Sequence, residues 1–186
     1  MQRGYRRFKL AVAAVLSGVW ISGSVWAQAD DLDQLFDKLR EPSLANWQEV
    51  EQEIWQEWSK SGSASADLLL ERGRKALNAG DPSVAVEHFS ALIDHYPDFA
   101  EGYNGRATAY YQLNLYGPAL DDIRTTLALN PRHFGAMTGL GLILEDLGHP
   151  TEALSTYRAV AAIHPHRPDV IEAIERLERE LGDTAL

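Results

Sequence analysis

Apolar residues recur every three to four positions in several stretches of the chain, a spacing that predicts amphipathic α-helices. Residues 168–182 show it most clearly, because Glu and Arg residues flank an apolar stripe. A stripe in residues 31–40 ends at Pro42, and a third follows Asn46 and Glu49, a helix-start signal. In chain order the stripes are Leu32, Leu35, Phe36 and Leu39; Trp47, Val50, Ile54, Trp55 and Trp58; and Val170, Ile171, Ile174, Leu177 and Leu181. The pattern predicts an all-α fold.

Between the outer stripes the helical pattern repeats at a fixed interval, the one that separates Pro97 from Pro131 and Pro131 from Pro165. Five columns of residues keep one phase over three copies, which we place at 66–99, 100–133 and 134–167. The columns are Gly73, Ala107 and Gly141; Gly80, Asn114 and Gly148; Ala85, Ala119 and Ala153; Phe89, Ile123 and Tyr157; and Pro97, Pro131 and Pro165. Such a shared period predicts stacked copies of one structural unit.

Each column has a physical role in a pair of antiparallel helices. Gly or Asn after the first helix allows a left-handed turn, and the small residues let the two helices approach closely. The large residues fill the space between units, and the prolines end each second helix. We expect Asp81 to cap the second helix of the first unit, with Pro82, Pro118 and Pro150 near helix starts.

These columns resemble the tetratricopeptide repeat, which has small residues at unit positions 8 and 20, a bulky residue at 24 and proline at 32. The resemblance covers residues 66–167 and implies a right-handed α-solenoid of antiparallel helix pairs. Residues 168–182 then form a capping helix that shields the last unit, and residues 183–186 form a tail. The repeat domain is therefore expected to span residues 66–182.

Residues 30–65 are expected to form an N-terminal helix pair followed by a short flexible joint at residues 61–65. Trp55 and Trp58 lie one repeat period before Phe89 and Leu92, so this pair could be a degenerate fourth repeat. The tryptophans have two interpretations. They pack the pair onto the first repeat, or they form an exposed apolar face for a partner or a membrane surface.

The resemblance places the functional surface on the concave side, at unit positions 2, 5, 9, 12 and 13. In this chain those positions hold Asp67, Leu70, Arg74, Leu77 and Asn78; Glu101, Asn104, Thr108, Tyr111 and Gln112; and Gly135, Thr138, Leu142, Glu145 and Asp146. The partner-binding candidates among them are Arg74, Asn78, Glu101, Asn104, Thr108, Tyr111, Gln112, Thr138 and Leu142. The family's clamp for peptide C-termini needs paired basic residues with Asn, and only Arg74 and Asn104 resemble it. We expect a protein or peptide segment to bind this groove.

The charge balance and the absence of cysteine restrict the chemistry. The net charge of -10, without a basic stripe, disfavours nucleic acid as a partner. Without thiols there are no disulfides, no cysteine nucleophile and no cysteine zinc site. Four histidines lie near repeat ends, and we interpret them as surface residues rather than as metal ligands. These are His95, His133, His164 and His166. We predict neither a metal nor a cofactor.

No catalytic motif is found in the sequence, which has no Gly-x-Ser-x-Gly, no His-Glu-x-x-His and no phosphate loop. The carboxylate pairs Asp30–Asp31 and Asp121–Asp122 are expected at a chain start and on a helix surface, where neighbouring side chains diverge. We therefore predict that the protein is not an enzyme.

Residues 1–29 have the features of an export signal. Basic residues precede an apolar stretch at 10–25, and Ala27-Gln28-Ala29 forms a small-x-small cleavage site. The expected location is periplasmic or secreted, with no membrane span once the signal is removed. An uncleaved N-terminal membrane anchor is the alternative.

Together these features predict a periplasmic adaptor or scaffold that binds a protein partner in its groove. One alternative is a homo-oligomeric module that associates through Trp47, Trp55 or Trp58. A second is an enzyme with a site of unfamiliar form, which would need a deep pocket with several titratable groups.

Overall fold

The computed structural model describes residues 23–184, with side chains from residue 31 to residue 182. Within that range the chain forms nine α-helices and no strand, which confirms the all-α prediction. The helices are α1 (Gly23–Leu39), α2 (Trp47–Trp58), α3 (Ala64–Asn78), α4 (Pro82–His95), α5 (Ala100–Gln112), α6 (Tyr116–Leu129), α7 (Phe134–Asp146), α8 (Pro150–Ile163) and α9 (Pro168–Thr184). Helices α3 to α9 pack in chain order, each against the next.

The predicted export signal lies mostly outside the described residues, which begin at Gly23. Helix α1 starts there and not at Asp31, so it runs through the predicted cleavage site at residues 27–29. Cleavage at that site would leave residues 30–39 as the first helix of the mature chain.

The turn inside each repeat has the left-handed conformation that its Gly or Asn predicts. The backbone angle φ is +80° at Gly80, +59° at Asn114 and +76° at Gly148. In each turn the next amide donates a 2.9 Å hydrogen bond to the carbonyl five residues earlier. The pairs are Asp81 to Ala76, Leu115 to Tyr110, and His149 to Leu144. This hydrogen bond caps the C-terminus of each first helix, so the three repeats share the same capping arrangement.

The starts of the second helices differ in one respect from the prediction. Asp81 stands at the N-cap of α4, but its side chain makes no capping hydrogen bond, so its predicted capping role is wrong. Pro82 and Pro150 each lie in the first turn of their helix, as expected. Pro118 is the third residue of α6, where the amide still has no partner within the helix.

Bulky side chains of the second helices pack where the first helices lack side chains. A Cβ atom at Gly73 or at Gly105 would lie 2.5 Å from the ring of Phe89, which is fully buried between them. In the third repeat a Cβ at Gly141 would lie 2.5 Å from the ring of Tyr157. These contacts fix the spacing of neighbouring helices, because any side chain at the glycines would displace a ring.

A buried ion pair joins α5 to α6. Arg106 donates through Nε and Nη2 to the two carboxylate oxygens of Asp122, each at 2.8 Å, and through Nη1 to Ser90 Oγ at 3.1 Å. The hydrogen bond to Asp122 raises the pKa of Arg106 above its usual value, against the opposing effect of burial. Asp122 is therefore a buried structural residue and not the helix-surface residue that the sequence predicted.

The N-terminal pair does not stack on α3 as a preceding repeat would. Helix α2 instead crosses the later repeats, with the ring centroid of Trp55 5.4 Å from that of Phe134 and the centroid of Trp58 4.4 Å from that of His133. Phe36 of α1 is buried in the same cluster. The apolar stripes of α1 and α2 are thus covered by the third repeat, and the one-period spacing from Trp55 to Phe89 does not reflect repeat packing.

Residues 61–65 are anchored by hydrogen bonds rather than loosely joined. The hydroxyls of Ser63 and Ser65 each lie 2.6 Å from Tyr96 Oη, and Ser61 Oγ donates to Asp67 Oδ1 at 2.5 Å. The predicted flexible joint is therefore tied to the first repeat by three serines.

Candidate partner-binding groove

A pocket of about 270 Å³ lies between α2, α5 and α7, and we call it the central pocket. Its lining residues are Trp55, Asn104, Ala107, Thr108, Tyr111, Ile123, Gly135, Ala136, Thr138, Gly139, Leu142, Ile143 and Arg167. Most of them belong to the first helices of the second and third repeats, on the side where the resemblance placed the groove.

Five of the predicted groove residues meet in the central pocket. Asn104, Thr108 and Tyr111 lie on one face of α5, since residues four and seven positions apart share a helix face. Thr138 and Leu142 occupy the positions of Asn104 and Thr108 in the next repeat, on α7. The repeat therefore brings equivalent positions of neighbouring units to the two sides of one pocket.

The room in the central pocket comes from small residues. Ala107, Gly135, Ala136 and Gly139 contribute at most one side-chain carbon each to the lining. A Cβ atom at Gly139 would still be 3.7 Å from its nearest neighbour, Ile123 Cδ1. A partner side chain can therefore approach the backbone of α7 closely.

The polar groups of the central pocket are mostly neutral. Thr108 and Thr138 donate to carbonyls of their own helices, at 3.0 and 2.8 Å, which leaves their methyl groups for contact. Burial, with a hydrogen bond to Asp146, raises the pKa of Tyr111, so the phenol stays protonated. Among the described residues, no hydrogen bond engages the side-chain carboxamide of Asn104. This group is therefore free to bind a partner's backbone.

The other predicted groove residues lie elsewhere. Arg74 and Asn78 line a separate, broader depression between α2 and α3. Arg74 already donates to Glu101 at 2.7 Å and to Ser59 at 2.9 Å. Gln112 is exposed at the end of α5 and lines neither depression. Arg74 and Gln112 are therefore not brought together with Asn104 and Tyr111, although all four were predicted to line one groove.

Glu101 is a buried structural residue and not an accessible groove residue. It is 1% exposed and joins Arg74 of α3 to His133, at the start of α7. His133 Nδ1 accepts from the Ala136 amide at 3.0 Å, so Nε2 carries the proton and donates to Glu101 at 2.7 Å. This network ties α3, α5 and the start of α7 together beneath Trp58.

The histidines differ from the prediction because α2 covers two of them. His133 and His164 are fully buried, whereas His95 is exposed and His166 is partly buried. The surface prediction is therefore wrong for His133 and His164, whose rings pack against Trp58 and Trp47. In the part of the chain that the structure describes, no three His, Asp or Glu residues are arranged to hold a metal ion.

The tryptophans pack on the third repeat rather than on the first, contrary to the first interpretation. Trp58 is buried, and Trp47 and Trp55 are partly buried, all against their own chain. Sequence reasoning missed Trp55 and Arg167 as pocket residues. One usable signal was Gly135, which stands where the other repeats carry Asp67 and Glu101 and leaves room for a ring.

None of the helices within residues 23–184 combines the length and the apolar character that a membrane span requires.

The described residues thus define an all-α repeat solenoid with a small pocket on its inner side. A sequence model of the tetratricopeptide repeat matches residues 70–122 and 116–168, more than half of the chain. A TPR repeat-containing protein of Rhizobium etli is 33% identical over 154 residues, which cover 81% of this chain and 74% of the relative. The chain belongs to the tetratricopeptide repeat family.

More distant similarities extend to eukaryotic proteins. Small glutamine-rich tetratricopeptide repeat-containing protein 2 of Mycosarcoma maydis is 25% identical over 122 residues, or 66% of this chain and 35% of that protein. This chain therefore spans about a third of that relative. Among solved structures, the first TPR of Spaghetti (RPAP3) bound to the HSP90 peptide SRMEEVD has a TM-score of 0.61 and 24% identity. It covers 64% of this chain and 98% of its own.

Proposed function

We propose that this protein is a non-enzymatic interaction module that holds a segment of a partner protein in the central pocket. The observation that carries the proposal is the pocket itself, about 270 Å³ between α2, α5 and α7, with small residues along α7. Pockets for whole small-molecule ligands are usually about 300–1,000 Å³. The central pocket is near the lower end of that range and has room for one bulky side chain of a longer segment.

The lining favours an apolar side chain with nearby backbone hydrogen bonding. Leu142, Ile143 and the threonine methyls supply apolar contacts, and the Asn104 amide can bind a main-chain group. Arg167 is the one cationic residue of the lining, and it is occupied by Asp169 at 2.5 Å. A free carboxylate would compete with that pair, so we infer that an internal segment is preferred to a chain end.

The similarity to a solved repeat domain with a bound HSP90 peptide supports this kind of partner, although that peptide is not proposed as the ligand here. The paired basic residues of a carboxylate clamp are missing, and Arg74 is engaged by Glu101 and Ser59. We therefore propose that the protein recognises the shape of a partner side chain rather than the partner's C-terminal carboxylate.

We further propose that the protein acts in the periplasm as an adaptor or scaffold, on the basis of the signal features in residues 1–29. Expression of the full chain in a bacterial host, followed by fractionation and mass measurement, tests this. A periplasmic product that starts at Asp30 is expected. A membrane-bound product of full mass would support the anchored alternative instead.

Binding in the central pocket is tested by selecting peptides from a random library on the full chain. Leu142→Arg is expected to weaken the selected peptides at least about tenfold, because a charged side chain then occupies the apolar edge of the pocket. The matched control is Leu129→Arg on α6. Leu142 and Leu129 are 41% and 39% exposed, and Leu129 does not line the central pocket.

Calorimetric titration of the selected peptides into both variants gives the comparison. Peptides that bind the wild type and the Leu129 variant equally, but lose affinity for the Leu142 variant, support the proposal. Equal loss in both variants, or no loss in either, contradicts it.

A further inference from the structure

The N-terminal segment follows one line of positions along the concave side, at unit position 2 of each repeat. Ser61 hydrogen-bonds to Asp67 of the first repeat at 2.5 Å. Trp58 stacks on His133, which hydrogen-bonds to Glu101 of the second repeat. In the third repeat, a Cβ atom at Gly135 would lie 2.6 Å from the ring of Trp55. The segment thus runs across all three repeats.

The other end of α2 packs on the turn between α8 and α9. The Trp47 ring lies 5.5 Å from that of His164 and 6.3 Å from that of His166, measured between centroids. Glu51 Oε1 is 3.6 Å from His164 Nε2 and 3.8 Å from Arg167 Nη1. Helix α2 therefore crosses the repeats in reverse order, from the cap towards the first repeat.

The contacts of α2 come from one stripe of side chains. Trp47, Glu51, Trp55 and Trp58 are spaced four, four and three residues apart, which places them on one helix face. Burial raises the pKa of Glu51, but the contacts with His164 and Arg167 lower this pKa by more than burial raises it. The net shift is downward, so the carboxylate stays charged. The repeats therefore accept a helix with three aromatic residues and one anion.

The fit of α2 is incomplete in its polar groups. Four buried side-chain atoms have no hydrogen-bond partner within residues 31–182, and all four lie where α2 meets the repeats. They are Trp58 Nε1, His164 Nδ1, His164 Nε2 and His166 Nε2. His164 Nε2 faces Glu51 at 3.6 Å, beyond hydrogen-bond distance, and the other three atoms lack a hydrogen-bond partner within residues 31–182. Buried polar groups without hydrogen bonds weaken this contact relative to its apolar area. Release of α2 would rehydrate all of them.

We propose that the surface beneath α2 is a second docking site, for an amphipathic helix of a partner protein that carries the aromatic and acidic stripe of α2. Helix α2 is the resident occupant of this site, and a partner helix binds by displacing it. This site borders the central pocket at Trp55, Gly135 and Arg167, and it extends beyond the pocket to the contacts of Trp47 and Glu51 with His164.

The probe for this site is a fluorescein-labelled peptide of residues 43–61, added in trans to the full chain. Its binding is followed by fluorescence anisotropy. A second full chain carries Trp47→Ala and Glu51→Ala, which remove the contacts of its own α2 with the α8–α9 turn. This chain is expected to bind the peptide at least about tenfold more tightly than the wild type, because its site is open more often. A peptide with alanine for the three tryptophans is expected not to bind.

Two glycines of α7 provide a matched pair of variants in a chain that carries Trp55→Ala besides Trp47→Ala and Glu51→Ala, so that only the peptide brings a tryptophan ring to Gly135. Gly135→Ala places a methyl group 2.6 Å from the position of the Trp55 ring, whereas the nearest neighbour of a methyl at Gly139 is 3.7 Å away. Peptide affinity is expected to fall with Gly135→Ala and to stay within about twofold with Gly139→Ala. An equal effect of the two variants would place the peptide elsewhere and overturn the proposal.

Hydrogen exchange on the unmodified full chain tests displacement even if the Trp47→Ala, Glu51→Ala chain fails to fold. Amides of α2 are expected to exchange at least about tenfold faster than those of α5 and α7, because α2 opens without global unfolding. Equal protection, or equal peptide binding by the wild-type chain and this double variant, would contradict a displaceable α2. Trp47 and Glu51 contact His164 outside the central pocket, so the Trp47→Ala, Glu51→Ala chain is also titrated with a pocket-selected peptide. Unchanged affinity for that peptide together with altered affinity for the 43–61 peptide distinguishes this site from the central pocket.

Discussion

Replacing Phe89 with alanine is expected to lower the free energy of unfolding by about 3–5 kcal/mol. The ring is fully buried and fills the space left by Gly73 and Gly105, so its removal creates a cavity between the first two repeats. The backbone of three helices borders that space, and helices with glycine at the contact have no side chains that could move in. Chemical denaturation followed by far-ultraviolet circular dichroism measures the loss.

Val84 on the same helix provides the control for Phe89. It is 44% exposed, and Val84→Ala is expected to change the free energy of unfolding by less than about 0.5 kcal/mol. A loss below about 1 kcal/mol for Phe89→Ala would mean that α3 and α5 close over the cavity, which contradicts a rigid spacing of these helices.

Arg106→Ala is expected to cost about 3–5 kcal/mol of the free energy of unfolding. The substitution leaves the Asp122 carboxylate buried without its bidentate partner, and a buried unpaired charge is far less stable than a hydrated one. Thermal and chemical denaturation at neutral pH both report the loss.

A double variant separates the ion pair from the packing of Arg106. Arg106→Met with Asp122→Leu removes both charges and keeps apolar volume, and it is expected to recover most of the stability lost in Arg106→Ala. A double variant as unstable as the single one would show that the methylene groups of Arg106, and not its charge, account for the loss.

The sequence predicts the repeat domain well because its determinants are local and periodic. The left-handed turns at Gly80, Asn114 and Gly148 need only a residue that tolerates positive φ. The large residues of the second helices also pack against small residues of the first helices. Phe89 lies between two glycines, and Ile123 packs with Ala107. Each of these rules acts within one repeat or between neighbours.

The position of α2 could not be predicted in the same way. Trp47 reaches His164 and Trp55 reaches Phe134, contacts between residues far apart in sequence that no spacing rule connects. The burial of His133 follows from the same docking, because Trp58 covers it and Glu101, 32 residues earlier in the chain, hydrogen-bonds to it. For the central pocket, the concave positions implied by the family resemblance included Asn104, Thr108, Thr138 and Leu142, but not Trp55.

The docking of α2 also has a consequence for the order of assembly during synthesis. The chain is made from its N-terminus, so α1 and α2 are complete about 75 residues before the start of α7, against which Trp55 packs. The repeats contact their sequence neighbours and can fold one after another, whereas the contact of Arg132 with Asp33 closes a loop of 99 residues. The first helices to be synthesised are therefore the last to find their place, and the nascent chain carries an uncovered tryptophan face until its third repeat is complete.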